Sequence, residues 1–233
     1  MATIDVTGSR QRTEATTRTG PSTRTVGGVS AIVEGLCYLA SLILLLVVMP
    51  AMGWQMGYWD DPSKSVPFVR AHETFFILGG LFYIVAALVV LPAVLAAYER
   101  LRSYSPSAMA AAAALGVVAT AMLLINATVQ YAEFQAVGSL STPVAEQAQA
   151  YGSVAYDATI QAASVCLGLW VLLLSWVAIR KGAMPRWFGY FGLLVGLADL
   201  AALFFPPPSL LLSIPWFLAL GVVLLRGGSN VED

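Results

Sequence analysis

Few side chains in this 233-residue sequence can do chemistry, and they fall into two groups. The first is a pair of acids, Glu34 and Asp199, each set inside a long apolar stretch that contains no lysine or arginine. An acid at the centre of a membrane helix costs roughly 2.5–3.5 kcal/mol on insertion scales. Such a residue faces the bundle interior, holds a proton, or binds something positive. Measured from the same side at 1.5 Å per residue, Glu34 stands about 12 Å into its stretch and Asp199 about 18 Å. A direct pair between them therefore requires helix tilt. Gly189, Gly192, Gly196 and Asp199 share one helical face, and Gly192 with Gly196 has the GxxxG spacing that lets a second helix approach. Asp199 thus has two readings: a protonated hydrogen-bonding group across a tight helix contact, or a contact for a proton, ion or substrate.

The second group lies toward the other end of the apolar stretches. Asn126, Gln130 and Glu133 recur at i, i+4 and i+7, one stripe of a helix. Asp157 and Gln161 form an i, i+4 pair, and His72 with Glu73 opens another stretch. Gathered together, these groups would make an acidic, cation-attracting mouth, and one imidazole among carboxylates is a mixed set able to hold a metal. Their spacing matches no metal motif, so no metal or cofactor is expected. The alternative is that they cap helix ends and meet water. Glu73 and Asp157 lie near expected helix N-termini, where acids are favoured by the dipole.

Other chemistries are excluded by counting. His72 is the only histidine, so neither a bis-histidine haem nor a three-histidine zinc site can be built within the chain. Lysine occurs only at Lys64 and Lys181, both in polar segments, which excludes an intrahelical Schiff base. Cys37 and Cys166 are isolated and read as small apolar residues. No phosphate-cradling glycine loop or GxSxG elbow is present.

The elements that must position these residues follow from composition. The chain is 58% hydrophobic and 11% charged, with a net charge of −1. Soluble domains carry roughly 25% charged residues, so this is the composition of an integral membrane protein. A near-neutral chain also offers no basic surface to nucleic acid. Residues 1–25 are threonine- and arginine-rich and read as a disordered tail rather than a signal peptide. Six apolar stretches follow at 26–49, 73–97, 107–130, 158–179, 187–205 and 209–225, each 17 to 25 residues long. A hydrocarbon core of ~30 Å needs about 20 helical residues, and backbone satisfaction in lipid demands helices. The last stretch is short and contains Pro215, which kinks it or delays its start. The third extends toward Gln135 and Gly138, and residues 227–233 form a short tail.

Orientation comes from the basic residues. Ten of the twelve lysines and arginines fall in the first tail, the 98–106 turn, the 180–186 turn and at Arg226, against Lys64 and Arg70 on the opposite side. The positive-inside rule then places both termini in the cytoplasm. The outward connections are residues 50–71, 139–152 and the proline run 206–208. Trp54, Tyr58 and Trp59 in the first of these read as an interface anchor, or as a lid over the polar mouth together with Asp60 and Asp61. A polar-then-cysteine pattern at Glu34–Cys37 and Gln161–Cys166 suggests a three-plus-three inverted repeat, on two residues of unequal spacing.

The segment Met184-Pro-Arg-Trp-Phe-Gly-Tyr-Phe-Gly192, followed by Ile214-Pro-Trp216 and the ending Leu218-Ala-Leu-Gly-Val-Val-Leu-Leu-Arg226, resembles uncharacterised bacterial membrane proteins with six predicted spans. The resemblance covers roughly residues 180–226. It implies a six-helix bundle in the bacterial plasma membrane and carries no activity.

Three functions compete. A helix-packing scaffold or accessory subunit would use the Ala110–Ala114 run and the glycine faces against itself or a larger membrane complex. A small proton- or cation-coupled transporter would use Glu34, Asp199 and the outer mouth. A lipid-modifying enzyme would use His72 with carboxylates. Close packing around Glu34 and Asp199 favours the scaffold, and a water-accessible cavity favours the transporter. Convergence of His72, Glu133 and Asp157 favours the enzyme.

Overall fold

A computed structural model describes residues 22–203 and 209–226, which are helical throughout apart from short joints, with no strand among them. Helix α1 (Thr23–Ile43) starts three residues inside the expected tail. Ser22, itself extended, is the N-cap, its hydroxyl accepting from the Thr25 amide at 3.2 Å. The remainder of that tail, and residues 227–233, lie outside the described residues. α1 continues through a π-helical stretch (Leu44–Val48) into α2 (Met49–Ala51). Pro50 explains the widening: it has no amide hydrogen and its ring crowds the carbonyl four residues back, so the preceding turn opens.

The expected loop 50–71 is only partly a loop. After a 3₁₀ turn at Met56–Tyr58 comes helix α3 (Pro62–Ala71), opened by Asp61 as N-cap and by a proline in its first turn. α4 (Glu73–Leu101) and α5 (Pro106–Ser139) follow. The second outward connection, expected at 139–152, shrinks to Leu140 and Ser141, because α6 begins at Thr142 and runs 40 residues to Lys181. Ser141 is extended and Pro143 fits the first helical turn, so the helix can start at once. α6 is about 60 Å long at 1.5 Å per residue, twice the hydrocarbon thickness. Polar composition misled the sequence reading here, since a helix packed along its hairpin partner needs no apolar environment to persist. Gly182, at φ 62°, ends α6 in the left-handed conformation that favours glycine. α7 (Arg186–Ala201) and α8 (Ser209–Arg226) complete the chain.

Four helical stretches are long and apolar enough to cross a membrane: Thr23–Ala51, Glu73–Leu101, Pro106–Ser139 and Thr142–Lys181. The protein is thus an all-helical, membrane-embedded protein. α7 has 16 residues and the apolar stretch of α8 is Leu210–Arg226, both shorter than the about 20 residues of a typical span.

The six longer helices close into a ring in chain order. α1 packs on α4, α4 on α5, α5 on α6, α6 on α7 and α7 on α8, and α8 returns to α1. Short joints force antiparallel neighbours, and the contact between α8 and α1 removes the free edges. Trp170, Trp216, Phe217, Phe188 and Leu174 fill the centre, while alanines such as Ala93, Ala96, Ala97, Ala112 and Ala119 allow the backbones to approach. A second core, of Trp54, Val66, Val69, Phe76, Phe134 and Val137, seats α3 on the end of the bundle opposite the chain's basic turns.

Candidate functional site

Glu34 and Asp199 both lie inside the bundle, each 4% exposed. Glu34 is carried by α1 beside Gly35, whose bare face admits α8. A β-carbon there would stand 2.8 Å from the Leu218 side chain and 3.1 Å from the Ile214 carbonyl oxygen. Asp199 is carried by α7 against α6. Gly192 and Gly196 do permit the close approach their spacing implied, and the partners on α6 are Ser175, Leu172 and Gly168. The backbones meet so tightly that a β-carbon on Gly196 would lie 2.8 Å from the Gly168 carbonyl oxygen.

Neither carboxyl completes its hydrogen bonding. Oε2 of Glu34 and Oδ2 of Asp199 are buried without a hydrogen-bond partner. The two acids do not bond to each other, and α1 and α7 are not in contact. Tyr38, one turn beyond Glu34, is within electrostatic reach of both carboxylates. Its ring leans on Phe217 at 5.6 Å between centroids. Three further orphaned polar atoms line the same interior: Nε1 of Trp170, Nε1 of Trp216 and Oγ of Ser175. The bundle centre thus holds two acceptors and a set of donors that do not satisfy one another, at a cost of roughly 1–3 kcal/mol for each buried group left unpaired.

The second group of polar residues separates into two patches and a tie. The tie is Asn126, buried, whose Nδ2 donates to the Tyr156 carbonyl and to Thr159 Oγ1, both at 2.9 Å, joining α5 to α6. Glu133, half-buried, presses its carboxylate on the bare face of Gly152, and Tyr156 lies within reach of both Glu133 and the exposed Asp157. Gln130 is half-buried and Gln161 exposed. The other patch is the α3–α4 junction. His72 packs on Phe68 with tilted rings 4.5 Å apart between centroids, the Glu73 carboxylate covers Gly138, and both residues line an open recess with Arg70 and Phe75. Among the described residues no three His, Cys, Asp or Glu side chains gather closely enough to hold a metal ion.

Residues that the sequence gave no reason to single out organise this end. Arg70, counted only as a charge, donates from Nε to the Val137 carbonyl (2.8 Å), from Nη1 to Thr142 Oγ1 (2.9 Å) and from Nη2 to the Leu140 carbonyl (2.5 Å). It ties the end of α5 to the start of α6. Trp54 is neither anchor nor lid. It is 5% exposed and sits amid Tyr58, Trp59, Phe68 and Phe76, with ring centroids 4.8–6.1 Å away. Met56 and Trp59 are the exposed large apolar side chains of this loop. Cys37 and Cys166 are free thiols, both half-buried. Ser175 and Tyr38 were missed because lone hydroxyls in an apolar stretch show no facing direction until the neighbours are known.

Two cavities flank this interior without reaching it. One is the recess at the α3–α4 junction, about 450 Å³. The other, about 350 Å³, lies at the opposite end between the α4–α5 turn and the end of α6. Neither is lined by Glu34 or Asp199.

No curated protein and no solved structure matches the chain. A family model described as a domain of unknown function, DUF4386, matches residues 33–227, from the turn that carries Glu34 through Asp199 to the end of α8. That match takes in the interior acids, the closing α8 and the Asn126 tie, and the chain belongs to the DUF4386 family, a domain of unknown function.

Proposed function

We propose that this protein is a helix-packing scaffold or accessory subunit of the bacterial plasma membrane, a six-span bundle with both termini in the cytoplasm. The observation that carries the reading is the enclosure of Glu34 and Asp199. Each is 4% exposed, and the cavities at the two ends of the bundle do not touch them. The apolar stretches 187–205 and 209–225 supply the fifth and sixth spans, with α7 and α8 as their described helical parts; the outward connection read at residues 206–208 lies outside the described residues. The ten-to-two split of lysine and arginine supports the orientation. Partners are lipid, further copies of the chain or a larger membrane complex.

A second reading has one observation in its favour. Two orphaned buried carboxylate oxygens, both within electrostatic reach of Tyr38, suit a proton- or cation-coupled carrier in a closed state. Flux and assembly separate the two. For a scaffold, proteoliposomes holding the purified protein pass no more protons, sodium or potassium than empty vesicles. Gentle solubilisation of native membranes then yields the chain in an assembly of fixed composition and mass above the monomer. A cation flux that Glu34→Gln or Asp199→Asn abolishes overturns the scaffold in favour of the carrier.

A further inference from the structure

The cavity of about 350 Å³ at the basic end is built from Tyr104 and Ser105 of the α4–α5 turn and from Trp176, Val177, Arg180 and Lys181 of α6. Its walls combine three features. Arg180 and Lys181 make no ion pair with the described acids, so two cationic side chains border one recess without a counter-charge. Ser105 is the N-cap of α5, and its hydroxyl does not cap the helix. Pro106 at the first position has no amide hydrogen and the Met109 amide bonds to the Ser105 carbonyl, so the amides of Ser107 and Ala108, at the positive end of the α5 dipole, are the ones left without a helical partner next to the recess wall at Ser105. Finally, Trp176 is 44% exposed and carries the Arg180 guanidinium over its ring at 5.1 Å. An indole under a cation at the end of an apolar helix is the arrangement of the membrane boundary, with the ring toward acyl chains and the charge toward headgroups.

We infer that this recess is a binding site for the phosphate headgroup of an anionic phospholipid from the leaflet at the C-terminal end of α6. Arg180, Lys181 and the α5 N-terminus take the phosphate, the hydroxyls of Tyr104 and Ser105 offer further donors, and Trp176 with Val177 meets the glycerol and upper acyl chain. The recess contains no acid, which disfavours a zwitterionic headgroup whose ammonium would need a partner. A soluble phosphate shares the anionic chemistry, but it makes no use of the apolar wall supplied by Trp176.

The test uses the full-length protein in a neutral detergent, titrated with dioleoyl-phosphatidylglycerol or dioleoyl-phosphatidylcholine, with bound lipid counted by native mass spectrometry. Quenching by brominated phosphatidylglycerol, compared between the wild type and Trp176→Phe, locates the lipid. Phosphatidylglycerol is expected to bind at least tenfold tighter than phosphatidylcholine, and to quench the fluorescence component that Trp176→Phe removes. The double variant Arg180→Gln, Lys181→Gln should lose that preference, each cation near an anionic surface being worth roughly a fivefold change in affinity. The charge-conserving Arg180→Lys, Lys181→Arg should keep most of it, which separates lost charge from a fold defect. Equal retention of phosphatidylglycerol by the wild type and the glutamine variant overturns the site. So does displacement of the lipid by excess inorganic phosphate, which would mark the recess as a pocket for a soluble anion.

Discussion

Asp199 and Gly168 face each other across the contact between α7 and α6. A β-carbon placed on Gly168 would stand 3.0 Å from the β-carbon of Asp199 and 2.9 Å from the carbonyl oxygen of Gly196. The missing side chain at 168 is what allows a carboxyl group to be stowed at 199. Neither obstacle is the far end of a flexible side chain, so relief would require one helix to move. Gly168→Ala should therefore destabilise the bundle by about 1–3 kcal/mol, the range for overpacked cores. Gly79→Ala, at a helical glycine with nothing within 4 Å, should be neutral or stabilising by up to about 1 kcal/mol. Unfolding of both variants in the same micelle makes the comparison, and equal shifts would count against a tight α6–α7 seam.

Arg70 holds the turn between α5 and α6 with three donors on three different acceptors. Two of the acceptors are backbone carbonyls at the end of α5, where no amide follows to pair with them. Arg70→Gln should cost about 1.5–3 kcal/mol, the worth of a hydrogen bond to a charged group. It should also speed hydrogen exchange around Leu140 and Ser141 before the rest of the bundle responds. Arg70→Lys should recover little, because an ammonium cannot span the fork of acceptors that the guanidinium reaches. Unchanged exchange at that turn in Arg70→Gln would remove the clamp from the account.

The α3 cap has a pH dependence with a definite sign. Asp61 pairs with Lys64 at 2.8 Å and accepts from the Ser63 amide at 3.2 Å. The Lys64 ammonium, followed by the Ser63 hydroxyl, holds its carboxyl below the ordinary aspartate range. The folded form therefore binds the proton less readily than the unfolded chain. The stabilisation is complete above the ordinary aspartate value of about 3.9 and is lost as pH falls through the lower folded value. Exchange at the Ser63 amide should accelerate, relative to its intrinsic rate, in that acid window in the wild type. In Asp61→Asn it should show no such step, and a step that persists there would assign the effect to another group.

The sequence displayed solvent preference almost completely and facing direction hardly at all. The apolar cores at 26–49, 73–97, 107–130 and 158–179 of the four long helical stretches could be seen because lipid imposes both length and hydrophobicity on a spanning helix. Their extensions beyond the apolar core could not, since α6 from Thr142 onward is held by its neighbour α5 rather than by its own composition. The flat patterning has the same origin. A helix with protein on one side and lipid on the other is apolar all round, so periodicity cannot say which face meets the bundle. Glu34 and Asp199 were found because an acid in such a stretch is conspicuous. Tyr38, Ser175, Trp170 and Trp216 look ordinary in the same context, and so does Arg70 in a polar loop.

What the sequence determined alone is the solvent the chain must occupy, the helical state of its apolar stretches and the scarcity of groups able to do chemistry. These depend on composition and on the cost of unpaired backbone in hydrocarbon, which are properties of each segment by itself. What only the tertiary structure decided is which polar groups meet. It put Asn126 onto α6, drew Arg70 across the α5–α6 turn, enclosed two acids without joining them and left two cations around an open recess at the basic end. Those outcomes depend on the rotation of each helix and on glycine contacts that fix spacing to fractions of an ångström, and such pairwise geometry has no signature within a single segment.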